Sequence, residues 1–165
     1  MPYCGMTSFG FRVYGTPVPQ GSKIPGVSSK TGKMFVREQG GKNLKTWRED
    51  VKQAALAARG GDLAGDAQAV PLIATFTGPI RLHVDFYMPR PASVSPRKRP
   101  YPTVAPDLDK LVRGVGDALK AAGVYADDAQ ICLIHAAKRY ANDSPAGVAG
   151  AWIVISEVPL EGTLL

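Results

Sequence analysis

Cysteine and histidine are scarce in this sequence, which holds only two residues of each type among 165. Cys4 and Cys132 are too few for a framework of disulfide bonds. No cluster of cysteine and histidine has the spacing of a zinc site. His83 and His135 fall in predicted strands, where we expect them to be exposed structural residues. Carboxylates and basic side chains are therefore the main candidates for functional residues.

Long apolar runs are also missing. No apolar stretch approaches the ~20 residues that a membrane-spanning helix needs. The first residues lack the basic segment followed by an apolar core that marks a secretory signal. We therefore expect a cytoplasmic protein without membrane association, in which residues 1–7 form a loose tail. With 45% hydrophobic residues, the chain is long enough for one domain over residues 1–165 with a substantial core.

Acidic residues are nearly absent from two long stretches. Residues 1–48 hold eight lysines and arginines against one acid, and residues 86–106 hold four against none. Within them, the segments 16–41 and 89–105 are rich in glycine or proline and are predicted to be basic loops that contact phosphates. A mobile surface excursion is an equal alternative for the first loop, and ordinary solubility charge is the alternative for the net charge of +6. The candidate phosphate contacts are Lys23, Lys30, Lys33, Arg37, Arg97, Lys98 and Arg99.

Four strands and two helices are predicted from the spacing of apolar residues. Alternation predicts strands at residues 9–13, 80–88, 130–140 and 151–158. Three- and four-residue spacing predicts a helix over residues 42–59, with Trp47 as a core anchor, and a second that begins near Asp107 and stops at Gly123. The order β-α-β-α-β-β predicts an α+β domain with two helices packed on one mixed sheet.

Five of the fourteen acidic residues are concentrated in Pro106–Gln130. Asp107 and Asp109 open the second helix as an Asp-x-Asp pair, and Asp127 and Asp128 follow its end. A reversal of the chain can bring Asp128 back toward the first pair. Three carboxylates would then supply the hard oxygen ligands that Mg²⁺ or Mn²⁺ prefers. The structural alternative is a helix cap followed by a solvated turn.

The ordered set of motifs around this helix resembles the RusA family of Holliday junction resolvases. The set consists of PDLDK at 106–110, Arg113, GDAL at 116–119, DDAQI at 127–131 and Lys138. The resemblance extends more weakly to a G-x-P-x-P element at residues 15–19 and to neighbouring strands. It implies a small, homodimeric, Mg²⁺-dependent endodeoxyribonuclease of the kind found in bacteria, phages and prophages, which acts in DNA recombination and repair.

The resemblance also implies roles for individual residues. Asp107, Asp109 and Asp128 match the family's metal-binding acids. Arg113 stands where the family usually has a catalytic lysine; it keeps the charge but cannot readily give up a proton. Lys110 stands where asparagine is common. Lys110 and Lys138 are candidates for DNA contact, and Lys138 also for support of the active site.

The implied activity is paired incision of four-way junctions or other branched DNA, with Mg²⁺ or Mn²⁺ as cofactor, leaving a 5′-phosphate and a 3′-hydroxyl. The main alternative is a non-catalytic or degenerate DNA-binding relative, because Lys110 and Arg113 depart from the common pattern. Phosphatases of the haloacid dehalogenase type and metal-dependent glycosyltransferases also use Asp-x-Asp pairs. They place the pair directly after an apolar strand, whereas here a proline-rich basic loop precedes it.

Overall fold

The computed structural model describes residues 7–21, 23–38, 41–60 and 73–159. Most of the predicted tail and residues 61–72 lie outside this description. No helix in the described ranges is long and apolar enough to cross a membrane. In chain order the elements are β1 (Ser8–Tyr14), β2 (Lys23–Val27), β3 (Met34–Glu38), α1 (Gly41–Ala58), β4 (Ile80–Met88), α2 (Leu108–Ala121), β5 (Ile131–Tyr140) and β6 (Gly150–Glu157).

Four strands form the main sheet in the order β1-β6-β4-β5. Strands β4 and β5 are parallel, and the other two pairings are antiparallel. A parallel pair requires a long crossover, and α2 with its flanking segments supplies it. The prediction of an α+β domain with two helices on a mixed sheet is therefore confirmed.

The hydrophobic core lies between the helices and one face of this sheet. Alternate residues of β4 and β6, including Leu82, Phe86 and Ile153, are 0% exposed. Helix α1 adds Trp47, which is 2% exposed and so is the core anchor that its spacing predicted. The predicted helix stop is also confirmed, because Gly123 follows α2 with a φ of +66°, a conformation that favours glycine.

The segment predicted to be an irregular basic loop over residues 16–41 contains a β-hairpin. Strands β2 and β3 pair antiparallel as a separate two-stranded sheet, in which Gly26 pairs with Phe35. A methyl group on Gly26 would lie 2.7 Å from the Phe35 ring. This fit of a ring against a bare backbone has no periodic signature, so the sequence pattern did not indicate it. Lys30 and Lys33 lie exposed in the connecting turn, whereas the side chains of Lys23 and Arg37 fall outside the described residues.

Candidate active site

Lys138 on β5 fixes the segment that leads into α2. Its ammonium group donates to the carbonyl oxygens of Val104 and Pro106, each at 2.7 Å. These carbonyls immediately precede the two acids that open the helix, Asp107 and Asp109. Lys138 therefore holds the entry of α2 to β5, and its predicted roles in DNA contact and in support of the active site stay predictions.

Asp107 precedes the first residue of α2 and pairs with Lys110 one turn later. The Lys110 ammonium lies 2.8 Å from Oδ2 of Asp107. This hydrogen bond, the charge of Lys110 and, to a lesser extent, the charge of Lys138 lower the pKa of Asp107. The same hydrogen bond raises the pKa of Lys110. Asp107 makes no side-chain capping bond, and it borders a groove of about 470 Å³ between α2 and residues 16–21.

Asp109 and Asp128 line a different groove, between α2 and β5. This groove has a volume of about 740 Å³, and Arg113 and Asp117 reach it as well. Its remaining walls are largely apolar and include Leu82, Leu108, Val112, Ile131, Ile134 and Ala136. The fold thus brings Asp128 to the same depression as the second acid of the Asp-x-Asp pair.

The three predicted metal ligands are divided between these two grooves. Across residues 7–21, 23–38, 41–60 and 73–159, no three Asp, Glu, His or Cys side chains are gathered closely enough to hold a metal ion. Asp109 and Asp128 are chemically suited to a divalent cation, because carboxylate oxygens are its preferred ligands. Asp107 borders the other groove, and its Oδ2 pairs with Lys110. Convergence of all three carboxylates on one ion therefore stays a prediction.

Arg113 keeps its charge available in the groove it shares with Asp109. The acid four residues later, Asp117, pairs instead with Arg48 of α1, at 3.6 Å. Within the described parts of the chain, no carboxylate forms a salt bridge with Arg113. The Arg113 guanidinium is therefore free to contact a phosphate oxygen, although the carboxylates of Asp109, Asp117 and Asp128 line the same groove.

The short 3₁₀ turn that carries Asp128 is built by its neighbours. Asp127 accepts a hydrogen bond from the backbone N–H of Ala129 at 2.9 Å and pairs with Lys120, also at 2.9 Å. These two contacts, in that order of importance, lower the pKa of Asp127. The side-chain oxygen of Gln130 accepts a hydrogen bond from the backbone N–H of Asp127, which completes a capping box. Asp127 is thus a structural residue that leaves Asp128 as the acid facing the groove.

Gln130 also ties this turn to a distant part of the chain. Its side-chain amide donates to the carbonyl oxygens of Phe76 at 2.9 Å and Gly78 at 3.1 Å. Its carbonyl accepts from the N–H groups of Ala126 and Asp127 at 2.8 and 3.0 Å. The sequence analysis assigned Gln130 no role, although the Asp-x-x-Gln spacing of a capping box was a usable signal.

Tyr125 is a second residue that the sequence analysis missed. It is 1% exposed, and its hydroxyl donates to the carbonyl oxygen of Gly116 on α2 at 2.8 Å. Burial raises the pKa of Tyr125, and the nearby charge of Asp128 raises it further. Tyr125 therefore couples the middle of α2 to the turn that carries Asp128. A lone tyrosine after a helix offers no sequence signal for such a contact.

Helix α2 is also held against the G-x-P-x-P element. The N–H of Gln20 donates to the carbonyl oxygen of Lys110 at 3.0 Å. Gly114 lies at the same contact, where a methyl group would be 3.5 Å from the carbonyl oxygen of Val18, an ordinary van der Waals distance.

The proline-rich segment 89–105 is anchored at Arg90. Its guanidinium lies 3.7 Å from the centre of the Tyr140 ring and donates to the carbonyl oxygen of Arg99 at 2.8 Å. Arg97 and Lys98 are exposed and Arg99 is partly exposed. No salt bridge involves these three in the described ranges, so their charges face solvent at one end of the sheet.

Comparison with known proteins agrees with the motifs. The model of the family described as "Endodeoxyribonuclease RusA" matches residues 15–149. The chain is also similar to the uncharacterized protein YqaN of Bacillus subtilis (strain 168), with 32% identity over 142 residues that cover 81% of this chain and 88% of the relative. The family match covers the G-x-P-x-P element, α2, the Asp128 turn and Lys138. This chain belongs to the RusA family of endodeoxyribonucleases, the family of Holliday junction resolvases.

Proposed function

We propose that this protein is a divalent-metal-dependent endonuclease that cuts two opposed strands of a four-way DNA junction. The observation that carries the proposal is that Asp109 and Asp128, from separate parts of the chain, share one groove with the unpaired Arg113. Exposed basic residues of the 89–105 segment and of the β2–β3 turn would hold the phosphate backbone on either side.

Asp109 and Asp128 would hold Mg²⁺ or Mn²⁺, and Asp107 would join them if Lys110 releases it. When bound, the cation lowers the pKa of a water molecule and neutralises negative charge that develops on the phosphate. Lys110, once released, is a mobile cation next to the same phosphate.

Arg113 would orient the phosphate that is cut. A guanidinium group binds two phosphate oxygens in a fixed plane and remains protonated at neutral pH. It can therefore stabilise the charge of the transition state, whereas the proton for the leaving 3′ oxygen must come from solvent. Hydrolysis of the bond between phosphorus and the 3′ oxygen leaves a 5′-phosphate and a 3′-hydroxyl.

The test is cleavage of a synthetic four-way junction in Mg²⁺ by the wild-type protein and by Asp109→Asn and Asp128→Asn. Each substitution removes an anionic ligand without changing side-chain size, so cutting should collapse while junction binding survives. Asp50→Asn, at an exposed position on α1, is the matched control and should cut normally. Cutting at the wild-type rate by either site variant would refute the proposed site.

A second function is supported by the close pairing of Asp107 with Lys110. A permanent ion pair at 2.8 Å would withhold one ligand from the metal, and the protein would then bind junctions without cutting them. Junction binding in Ca²⁺ combined with no nicking in either Mg²⁺ or Mn²⁺ would favour this function over the first.

A further inference from the structure

One face of the main sheet is turned away from both helices. The helices pack on the face that carries Leu82 and Phe86, and the alternate residues of the same strands point the opposite way. Trp152 on β6 belongs to this second face and keeps 40% of its surface exposed. We call the surface around Trp152, formed by Gly10, Arg12, Arg81, Asp85, Arg139 and Trp152, the open face.

Trp152 reaches toward a glycine on the adjacent strand. On β1, Arg12 pairs with Trp152 and Gly10 pairs with Val154. A methyl group on Gly10 would lie 3.2 Å from Cζ2 of the indole, closer than such contacts normally come. The bare backbone at Gly10 therefore accommodates one edge of the ring, while much of the rest remains in solvent. An aromatic ring supported in this way is the kind of surface on which a nucleic-acid base stacks.

Two arginines lie on the same face of the sheet as Trp152: Arg12 on β1 pairs with Trp152, and Arg81 on β4 pairs with Ser156. The guanidinium of Arg12 lies 5.2 Å from the centre of the Tyr87 ring and donates to the carbonyl oxygen of Val148. On the β4 side, Trp152 pairs with Asp85. Aromatic contacts and hydrogen bonds thus hold the Arg12 side chain in place.

The balance of charge on the open face is positive. Asp85 is the single acid at the outward positions of the four described strands of the main sheet, and Arg139 pairs with it at 3.6 Å. Arg12 and Arg81 remain uncompensated by any carboxylate in the described residues. Two copies packed through this face would bring like charges together, whereas a polyanion would be attracted.

We propose that the open face binds an unpaired DNA strand, with a base stacked on Trp152 and phosphates near Arg12 and Arg81. The ligand is single-stranded because stacking on the indole requires a base face that is free of a neighbouring base. The open face lies across the sheet from the groove of Asp109, so this strand would be held apart from the one that is cut. The proposal rests on the proposed function in taking DNA as the ligand.

The experiment measures binding of labelled oligothymidylate, roughly 15 nucleotides long, by fluorescence anisotropy without divalent cations. Trp152→Ala should weaken binding by about tenfold, in the range of single stacking contacts, and Trp152→Phe should retain most of the affinity. Arg81→Gln should reduce the log–log salt slope by about 0.7, the contribution of one phosphate contact on a single strand. Lys45→Gln removes the same charge from an exposed position on α1 and should leave the slope unchanged.

A direct signal from the indole tests the contact itself. The chain has two tryptophans, and Trp47 is buried in the core. In the Trp47→Phe variant all tryptophan fluorescence therefore comes from Trp152, and oligothymidylate should quench that fluorescence. Equal affinity of the wild type and Trp152→Ala would overturn the proposal. A change of oligomeric mass in Trp152→Ala or Trp152→Phe, measured by light scattering, would also overturn it and identify the open face as a contact between copies.

The two proposals can fail independently. A protein that cuts junctions but does not bind oligothymidylate refutes the open-face site and leaves the nuclease assignment intact. Binding of oligothymidylate through Trp152 by a protein that cuts no junction refutes the nuclease assignment alone. Asp109→Asn should bind oligothymidylate like the wild type, because the groove and the open face lie on opposite sides of the sheet.

Discussion

Replacing Gln130 by alanine removes four hydrogen bonds. Two of them hold the turn of Asp128 to the carbonyl oxygens of Phe76 and Gly78, and two come from the N–H groups of Ala126 and Asp127 within the turn. The two bonds to the carbonyl oxygens of Phe76 and Gly78 are partly buried, whereas the two from backbone N–H groups are exposed and can be replaced by water. A neutral hydrogen bond contributes about 0.5–1.5 kcal/mol net. We therefore expect Gln130→Ala to lower the free energy of unfolding by roughly 2–3 kcal/mol.

Urea unfolding followed by circular dichroism measures this loss. With a slope of about 1–3 kcal/mol per molar urea for a small protein, the midpoint should fall by about 1 M. Junction cutting should also fall in folded Gln130→Ala, because Asp128 loses its fixed position. The matched control is Gln53→Ala, which removes one exposed bond to Glu49 and should change stability by less than about 0.5 kcal/mol.

The Gln130→Glu variant tests the donor groups of the Gln130 side chain separately from its acceptor oxygen. It keeps the acceptors for the backbone N–H groups but points a carboxylate at two carbonyl oxygens. Its protonated form is favoured in the native state, so its stability should rise as the pH is lowered through the carboxyl pKa. The reasoning about Gln130 is refuted if Gln130→Ala unfolds within about 0.5 kcal/mol of the wild type, the range of ordinary surface changes.

Three further predictions concern DNA contact, assembly and alkaline stability. Replacing Arg97, Lys98 and Arg99 together by alanine should reduce the slope of log affinity for the junction against log salt concentration by up to about 2.7. The measurement is made in Ca²⁺, with fold and oligomeric mass as controls. An unchanged slope would mean that these residues do not contact phosphates, and the β2–β3 hairpin would become the candidate DNA contact. Light scattering should return about twice the 17.5 kDa chain mass, because paired incision needs two sites; a monomer that cuts opposed strands contradicts this. Tyr125→Phe should cost about 1 kcal/mol at pH 8 through loss of the bond to Gly116. Because the pKa of Tyr125 is raised in the native state, the wild type should lose stability above pH about 10, where the tyrosine of the unfolded chain ionises. The difference in unfolding free energy between the wild type and Tyr125→Phe should therefore become smaller at high pH. A difference that does not change with pH would contradict the burial of this hydroxyl group.

The main sheet and both helices could be predicted because each has a local signature. Alternation in β4 and the amphipathic spacing of α2 follow directly from which side chains each element must bury. The β2–β3 hairpin has no such pattern, since its strands contain glycine and proline and bury little. Its pairing depends on the contact between Gly26 and Phe35, which are nine residues apart.

The sequence by itself determined the elements of the main sheet, the ordered acids and the family to which they belong. The tertiary structure decided which acids share a groove. Asp107 lies before the first residue of α2 in an extended conformation, with φ −69° and ψ 140°, whereas Asp109 lies in the first turn of the helix. Asp107 therefore borders one groove with Lys110, while Asp109 borders the other. Asp128 joins Asp109 because packing between β5 and α2 brings together residues that are nineteen positions apart in the chain.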